Sequence, residues 1–196
     1  MENLILRLAI SPFLLLSLTF HEFAHAWFAY RLGDPTAKYS GRLSLNPLIH
    51  IDPIGLLMVL LVGFGWAKPV PVNPFYFKNP PLHTALVALA GPLSNLLLAS
   101  IGIFVQNFVN LIGLDTFVWI NIYLAVFNMI PLPPLDGWRV LQGIYPNLYQ
   151  NYELESKLSW VLLILIFISL ISPISIIGIF LYPISSFIYL FLHSVL

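Results

Sequence analysis

Apolar residues run almost unbroken from Leu4 to Tyr30, from Thr84 to about Val109, from Thr116 to about Ile130 and from Leu158 to Leu196, and polar residues collect in the intervals. Runs of this length predict membrane-spanning helices, because about 20 consecutive apolar residues cross a hydrocarbon core roughly 30 Å thick. The first run makes a helix of roughly 40 Å, so it tilts or protrudes, and Pro12 is a candidate kink. Leu4 to Phe20 is not followed by a small-residue cleavage site and the apolar helix continues through His21, so a retained span is expected rather than a signal peptide. The third run stops at P-L-P-P, since consecutive prolines cannot continue a helix. The last is interrupted at Ser172-Pro173 and at Pro183, which predicts one or two further spans.

The interval from Arg31 to His83 is different in kind, rich in proline and glycine, with one short apolar run from Ile54 to Trp66. That run suits a re-entrant or interfacial element better than a crossing. Gly41 to Pro47 and Val70 to Pro74 are expected to be extended, because proline and the residue before it disfavour helix. Pro146 to Lys157 reads as a polar amphipathic connector. The expected fold class is therefore an all-α polytopic membrane protein, a bundle of about five to six transmembrane or re-entrant helices with a short extended or β re-entrant element.

Composition supports the bilayer as the solvent: 59% of residues are hydrophobic and 8% charged, and the mean hydropathy is +0.91. Without a long polar stretch, no separate soluble module such as a peptide-binding domain is expected. A formal net charge of zero argues against nucleic acid as a partner. With no cysteine, any metal must be held by nitrogen and oxygen.

Charge placement orients the chain. The connection after the first span holds Arg31, Lys38, Arg42, Lys68 and Lys78, the turn from Gly113 to Thr116 holds no basic residue, and the connector after the third span holds Arg139 and Lys157. By the positive-inside rule, the C-terminal ends of the first and third spans both face the cytoplasm.

H-E-F-A-H at 21–25 lies near the first of these ends. Residues four apart share a helix face, so His21 and His25 can present two imidazoles to one ion while Glu22 stands close enough to activate a water. From five histidines and four glutamates, chance would place H-E-x-x-H somewhere in this chain about once in four hundred. The bland alternative is a satisfied polar cluster between helices, but ionisable residues inside membranes are costly and default to function. A catalytic zinc takes a third protein ligand, here a carboxylate. Asp34, Asp52, Asp115, Asp136 and the terminal-region glutamates are the candidates. Asp136 is favoured, because it follows a span on the histidines' side, in backbone broken by proline and completed by glycine, which is tolerated where it lines a cavity.

The ordered set H-E-F-A-H, A-G-P-L-S-N and N-M-I-P-L-P-P-L-D-G, covering roughly residues 15 to 142, resembles the site-2 protease family of intramembrane zinc metalloproteases, in its compact form without PDZ or CBS domains. The resemblance implies one Zn2+ per chain on His21, His25 and Asp136, with Glu22 as catalytic acid/base. It further implies that Asn128 hydrogen-bonds the substrate or stabilises the oxyanion. The chain reads as a single membrane-embedded peptidase domain over 1–196, with a core at 4–142 and additional spans at 158–196. It departs from the pattern at Trp138, where the motif frequently carries a second glycine. The function implied is hydrolysis of peptide bonds in or near transmembrane segments of membrane proteins, as in regulated intramembrane proteolysis. The site would open to the cytoplasm from the cell membrane, and the partners would be transmembrane substrates and the lipid bilayer. An exposed strand edge in Gly41 to Pro47 or Val70 to Pro74 could pair with unwound substrate.

Other polar residues have structural readings. His50 and Asp52 suit a ligand pair only on an extended strand, and a structural or interfacial role is favoured. His83 and His193 read as interfacial, Asn95 as an interhelical hydrogen-bonder with a second reading near the active site, Trp66, Trp138 and Trp160 as an aromatic belt, and Arg139 as a marker of the cytoplasmic interface. A metal-dependent transporter or channel, and a pseudoenzyme that binds zinc without cleaving, are the competing functions; transport has no need of Glu22, and no repeat-related broken helices are evident.

Overall fold

The computed structural model describes residues 2–149, 151–172 and 176–196. Eight α-helices account for most of them: α1 (Glu2–Arg31), α2 (Thr36–Tyr39), α3 (Pro53–Val62), α4 (Pro80–Gln106), α5 (Leu114–Asn128), α6 (Asp136–Ile144), α7 (Tyr152–Ile171) and α8 (Ile176–Val195). Helices α1, α4, α7 and α8 are long and apolar enough to cross a membrane, and α3 and α5 are shorter apolar helices. The all-α membrane bundle expected from hydropathy is what forms.

The second span begins at Pro80, four residues before the expected Thr84. Asn79 caps it by accepting from the Leu82 amide, and the prolines at the first two helical positions have no N–H to leave unsatisfied. The polar stretch before Leu158 is in part the opening of α7 rather than a connector, since Asn151 caps that helix and Glu153 and Glu155 lie in its first turn. The C-terminal region forms two spans. The expected break at Ser172-Pro173 lies partly outside the described residues; α7 ends at Ile171 with Ser172 extended.

Helix α4 is the central element, packed on α1, α5 and α6. It can be approached closely because its inward face carries Ala85, Ala88, Gly91, Ala99 and Gly102. Ala99 and Ile103 of α4 join Val118, Ile122 and Val126 of α5 in one buried cluster, against which α8 lays Leu181, Ile188 and Leu192. Helix α7 lies at the margin, largely exposed or half-buried, with Leu162 its one buried side chain among the described residues.

The Ile54–Trp66 run forms a re-entrant hairpin. Ten-residue α3 spans about 15 Å, half the hydrocarbon core. The Arg7 guanidinium of α1 closes its far end by donating to the carbonyls of Leu60, at 3.1 Å, and Leu61. The chain then turns at Gly63 and returns against the start of the helix, so closely that a Cβ on Gly55 would lie 2.1 Å from the Trp66 carbonyl oxygen. An isolated antiparallel bridge between Ile51 and Ala67 joins the two arms. This bridge is the β element of the fold among the described residues. Neither Gly41–Pro47 nor Val70–Pro74 forms a strand, and the reason for the second is visible in its hydrogen bonds. Pro71 and Pro74 have no N–H, the Val70 amide donates to Glu22 Oε2 at 2.8 Å and the Asn73 amide to Asp34 Oδ2 at 2.7 Å, so little ladder capacity remains.

Candidate metal centre

Three elements meet at the centre. Helix α1 brings His21, Glu22 and His25, α4 supplies the wall, and the N-terminus of α6 brings Asp136. His21 Nε2 and His25 Nε2 lie 3.0 Å apart. Asp136 Oδ2 stands 3.1 Å from the first and 3.4 Å from the second. The side chains of His21, His25 and Asp136 are 5%, 12% and 17% exposed, so the cluster is sheltered yet reachable.

The far ring nitrogens show which tautomers are present. His25 Nδ1 lies 2.8 Å from the Val87 carbonyl, which can only accept, so Nδ1 carries the proton. His21 Nδ1 donates to Asn95 Oδ1 at 2.6 Å. In the neutral rings both Nε2 atoms then present lone pairs to the same point, and the buried Asp136 Oδ2 facing them has no hydrogen-bond donor. Three acceptors converging without a donor repel one another unless a cation stands between them. Ligands about 2.0–2.2 Å from one tetrahedral ion stand roughly 3.3 Å apart, close to the separations observed. The donor set, two imidazoles and one carboxylate, fits a zinc-type metal ion.

Two glycines make this convergence possible. A Cβ on Gly91 of A-G-P-L-S-N would lie 2.5 Å from His25 Nε2 and 2.6 Å from His21 Cε1, so α4 can pass the imidazoles only where it lacks a side chain. A Cβ on Gly137 would lie 2.3 Å from the Met129 carbonyl oxygen, so the D-G pair lets α6 start tight against the end of α5 and aim Asp136 at the histidines. Trp138 is 2% exposed and faces inward with Gln142, one turn on, because α6 packs along α4 on that side. The aromatic-belt reading of Trp138 is thereby corrected. Trp66 and Trp160 remain exposed.

A cavity of about 780 Å³ opens on the cluster, lined by His21, Glu22, His25, Asn128 and Asp136, by the Pro69–Phe75 region on one side and by Thr84, Val87 and Ala88 of α4 on another. Asn128 reaches its wall with Nδ2 donating to Leu124 O at 2.9 Å. Arg139 also lines the cavity and pairs with Glu155 at 2.9 Å. Among the described residues the metal-capable group contains neither His50, His83 nor His193. His50 Nε2 donates to Ser44 O at 2.8 Å, and Asp52 caps α3 by accepting from Ile54 and Gly55 at 2.9 Å each, so that pair is structural. His83 packs edge-on to Phe77 and His193 against Tyr189.

Several contributors escaped sequence reasoning. The Val87 carbonyl and the Val70 amide are backbone groups and leave no residue-type signal. Asn121 and Ser17, both fully buried behind Asn95, did leave one: each is a polar residue inside an apolar membrane run.

The sequence profile of peptidase family M50 matches residues 113–172, the part containing α5, Asp136 and α7. Over 157 residues the chain is 46% identical to "Putative zinc metalloprotease YwhC" of Bacillus subtilis (strain 168), covering 71% of this chain and 72% of that one. It is 32% identical over 187 residues to "Putative zinc metalloprotease Rip2" of Mycolicibacterium smegmatis, covering 81% of this chain and 65% of the relative. It is also 27% identical over 164 residues to "Zinc metalloprotease MJ0392" of Methanocaldococcus jannaschii, with 81% of this chain and 40% of the relative covered. No solved structure matches the chain. With this similarity to YwhC along most of both chains, and with the motifs in order around one cavity, the chain belongs to peptidase family M50, the site-2 protease family.

Proposed function

We propose that the protein is an intramembrane zinc metalloendopeptidase that hydrolyses peptide bonds in or near the transmembrane segments of membrane proteins. The observation that carries this reading is the convergence of His21 Nε2, His25 Nε2 and Asp136 Oδ2 beside Glu22 at the wall of one cavity. His21, His25 and Asp136 would hold one Zn2+, which when bound polarises a carbonyl and lowers the pKa of a water.

The chain's own residues do the rest. Glu22 accepts the proton of the attacking water through its free oxygen, since Oε2 is held by the Val70 amide, and returns it to the leaving amide nitrogen. Asn128 at the cavity wall contacts the substrate backbone or the developing oxyanion. The substrate must arrive unwound, because helical amides are shielded by their own hydrogen bonds. With its carbonyls and the Val72 amide, the segment from Pro69 to Phe75 can hold such a stretch. The basic residues around both ligand-bearing helix ends favour a cytoplasmic opening in the cell membrane.

The test is cleavage of single-span substrates in liposomes by wild type and Glu22→Gln. Glu22→Gln should retain zinc and lose about 10²–10⁴-fold in rate, the usual contribution of a general base. Zinc-loaded wild type cutting no better than the variant across several substrates would sink the protease reading.

A further inference from the structure

Behind His21 lies a polar chain with a defined direction. Ser17 Oγ donates to the Phe13 carbonyl at 2.8 Å, so its lone pairs alone face the neighbouring Asn121. Asn121 Nδ2 donates to that hydroxyl at 2.8 Å and to the Phe117 carbonyl at 2.9 Å, which uses both its protons and turns its Oδ1 to Asn95. Asn95 Nδ2 then donates to Asn121 Oδ1 at 2.9 Å and to the Ser17 carbonyl at 3.2 Å, leaving Asn95 Oδ1 to face His21 Nδ1. Ser17, Asn95 and Asn121 are all fully buried, so water offers no alternative partner. Three helix carbonyls, those of Phe13, Phe117 and Ser17, can only accept and thus orient every group up to the imidazole.

We propose that Asn121 of α5, which touches none of the ligands, is a positioning residue for the metal centre: by fixing the Asn95 amide it keeps His21 protonated at Nδ1 and its Nε2 free to bind the ion. With the Asn95 amide reversed, its NH2 would face His21 Nδ1 and favour the other tautomer. That tautomer aims a proton at His25 Nε2 and Asp136 Oδ2 and competes with the metal. Partners that orient a ligating histidine typically change metal affinity 10–100-fold. Asn121 belongs at the low end, because Ser17 O still holds one Asn95 proton when Asn121 is lost.

This inference rests on the metal reading of the cluster, which the zinc content of the wild-type protein tests by itself. Zinc affinity is measured by chelator competition on full-length protein in detergent for wild type, Asn121→Leu, Asn95→Leu and the double variant. Asn121→Leu should weaken zinc about tenfold, and the double variant should bind no more weakly than Asn95→Leu alone, because Asn121 acts through Asn95. Unchanged affinity in Asn121→Leu overturns the proposal, and so does an equal further loss in the Asn95→Leu background, which would mark a general packing effect. If Asn121→Leu does not fold, Ser17→Ala replaces it in the same cycle. A loss confined to the wild-type background supports the chain, and either no loss or an equal loss in both backgrounds overturns it.

Discussion

The protein buries two histidine-containing clusters, and they solve opposite problems. Around His50, every ring position is used by the protein: Nε2 donates to Ser44 O, and Arg42 Nη2 donates to Nδ1 at 3.4 Å and also to the Lys68 carbonyl. The Lys68 amide returns a bond to His50 O at 2.9 Å, so the cluster ties the neck of the re-entrant hairpin. Around His21 and His25 the far nitrogens are held by Asn95 and Val87, and the near ones face each other and a carboxylate oxygen that has no hydrogen-bond partner. Burial does not separate the two clusters, since His50 is 2% and His21 4% exposed. The balance of donors and acceptors does. A structural histidine closes its hydrogen bonds, whereas a ligand histidine is left one bond short in a shared direction.

The largest effect should come from removing one member of each cluster in turn. His25→Ala should reduce zinc content from one per chain to background and abolish proteolysis. His50→Ala should leave zinc content intact. It leaves the Ser44 carbonyl without its donor and removes one of the two acceptors of Arg42 Nη2, costing about 1–3 kcal/mol of stability, seen as a lowered melting temperature. Metal analysis and thermal unfolding of the two variants decide the matter, and zinc loss in His50→Ala would erase the distinction.

Next in size is Gly91→Ala. The added methyl would sit 2.5 Å from the His25 ring, and imidazoles can swing away where backbone cannot, so the chain should still fold with its ligands displaced. Zinc affinity should fall by about tenfold or more, as it does when ligand orientation is lost. Alanine at this position binding zinc like wild type would show that the histidines tolerate a shift the geometry does not allow.

Much of this was legible in the sequence, for physical reasons that also mark where legibility stops. Spans follow from apolar length, and His21 and His25 follow from helical periodicity, both local properties. Asp136 lies 111 residues beyond His25, and it stood among four aspartates until charge placement and the motif order favoured it. Its approach depends on Gly137 admitting the Met129 carbonyl, a contact no local pattern encodes. The expected strand edge is missing for a related reason. Proline forbids helix in Val70–Pro74, as expected, but the amides that remain are claimed by Glu22 and Asp34, so extended backbone does not become a strand. Trp138 was misplaced because an indole in a membrane protein suits either an interface or a core, and only the packing of α6 on α4 chooses.

The smallest effect sharpens the comparison most finely, because it concerns a carboxylate that sits two residues from His50 and resembles Asp136 in type. Asp52 Oδ1 accepts from the amides of Ile54 and Gly55 and caps the re-entrant helix α3. A cap needs an acceptor oxygen and not a charge, and asparagine caps about as well as aspartate. Asp52→Asn should therefore match wild type in melting temperature, zinc content and activity, while Asp52→Ala should lose about 0.5–2 kcal/mol of stability with zinc content unchanged. At Asp136 the same pair of substitutions should behave differently. A neutral amide is a poor substitute for a carboxylate ligand, so Asn and Ala should both lower zinc affinity there. If Asp52→Asn is as damaging as Asp52→Ala, the charge itself matters at the hairpin neck, and assigning the His50 cluster to structure alone fails.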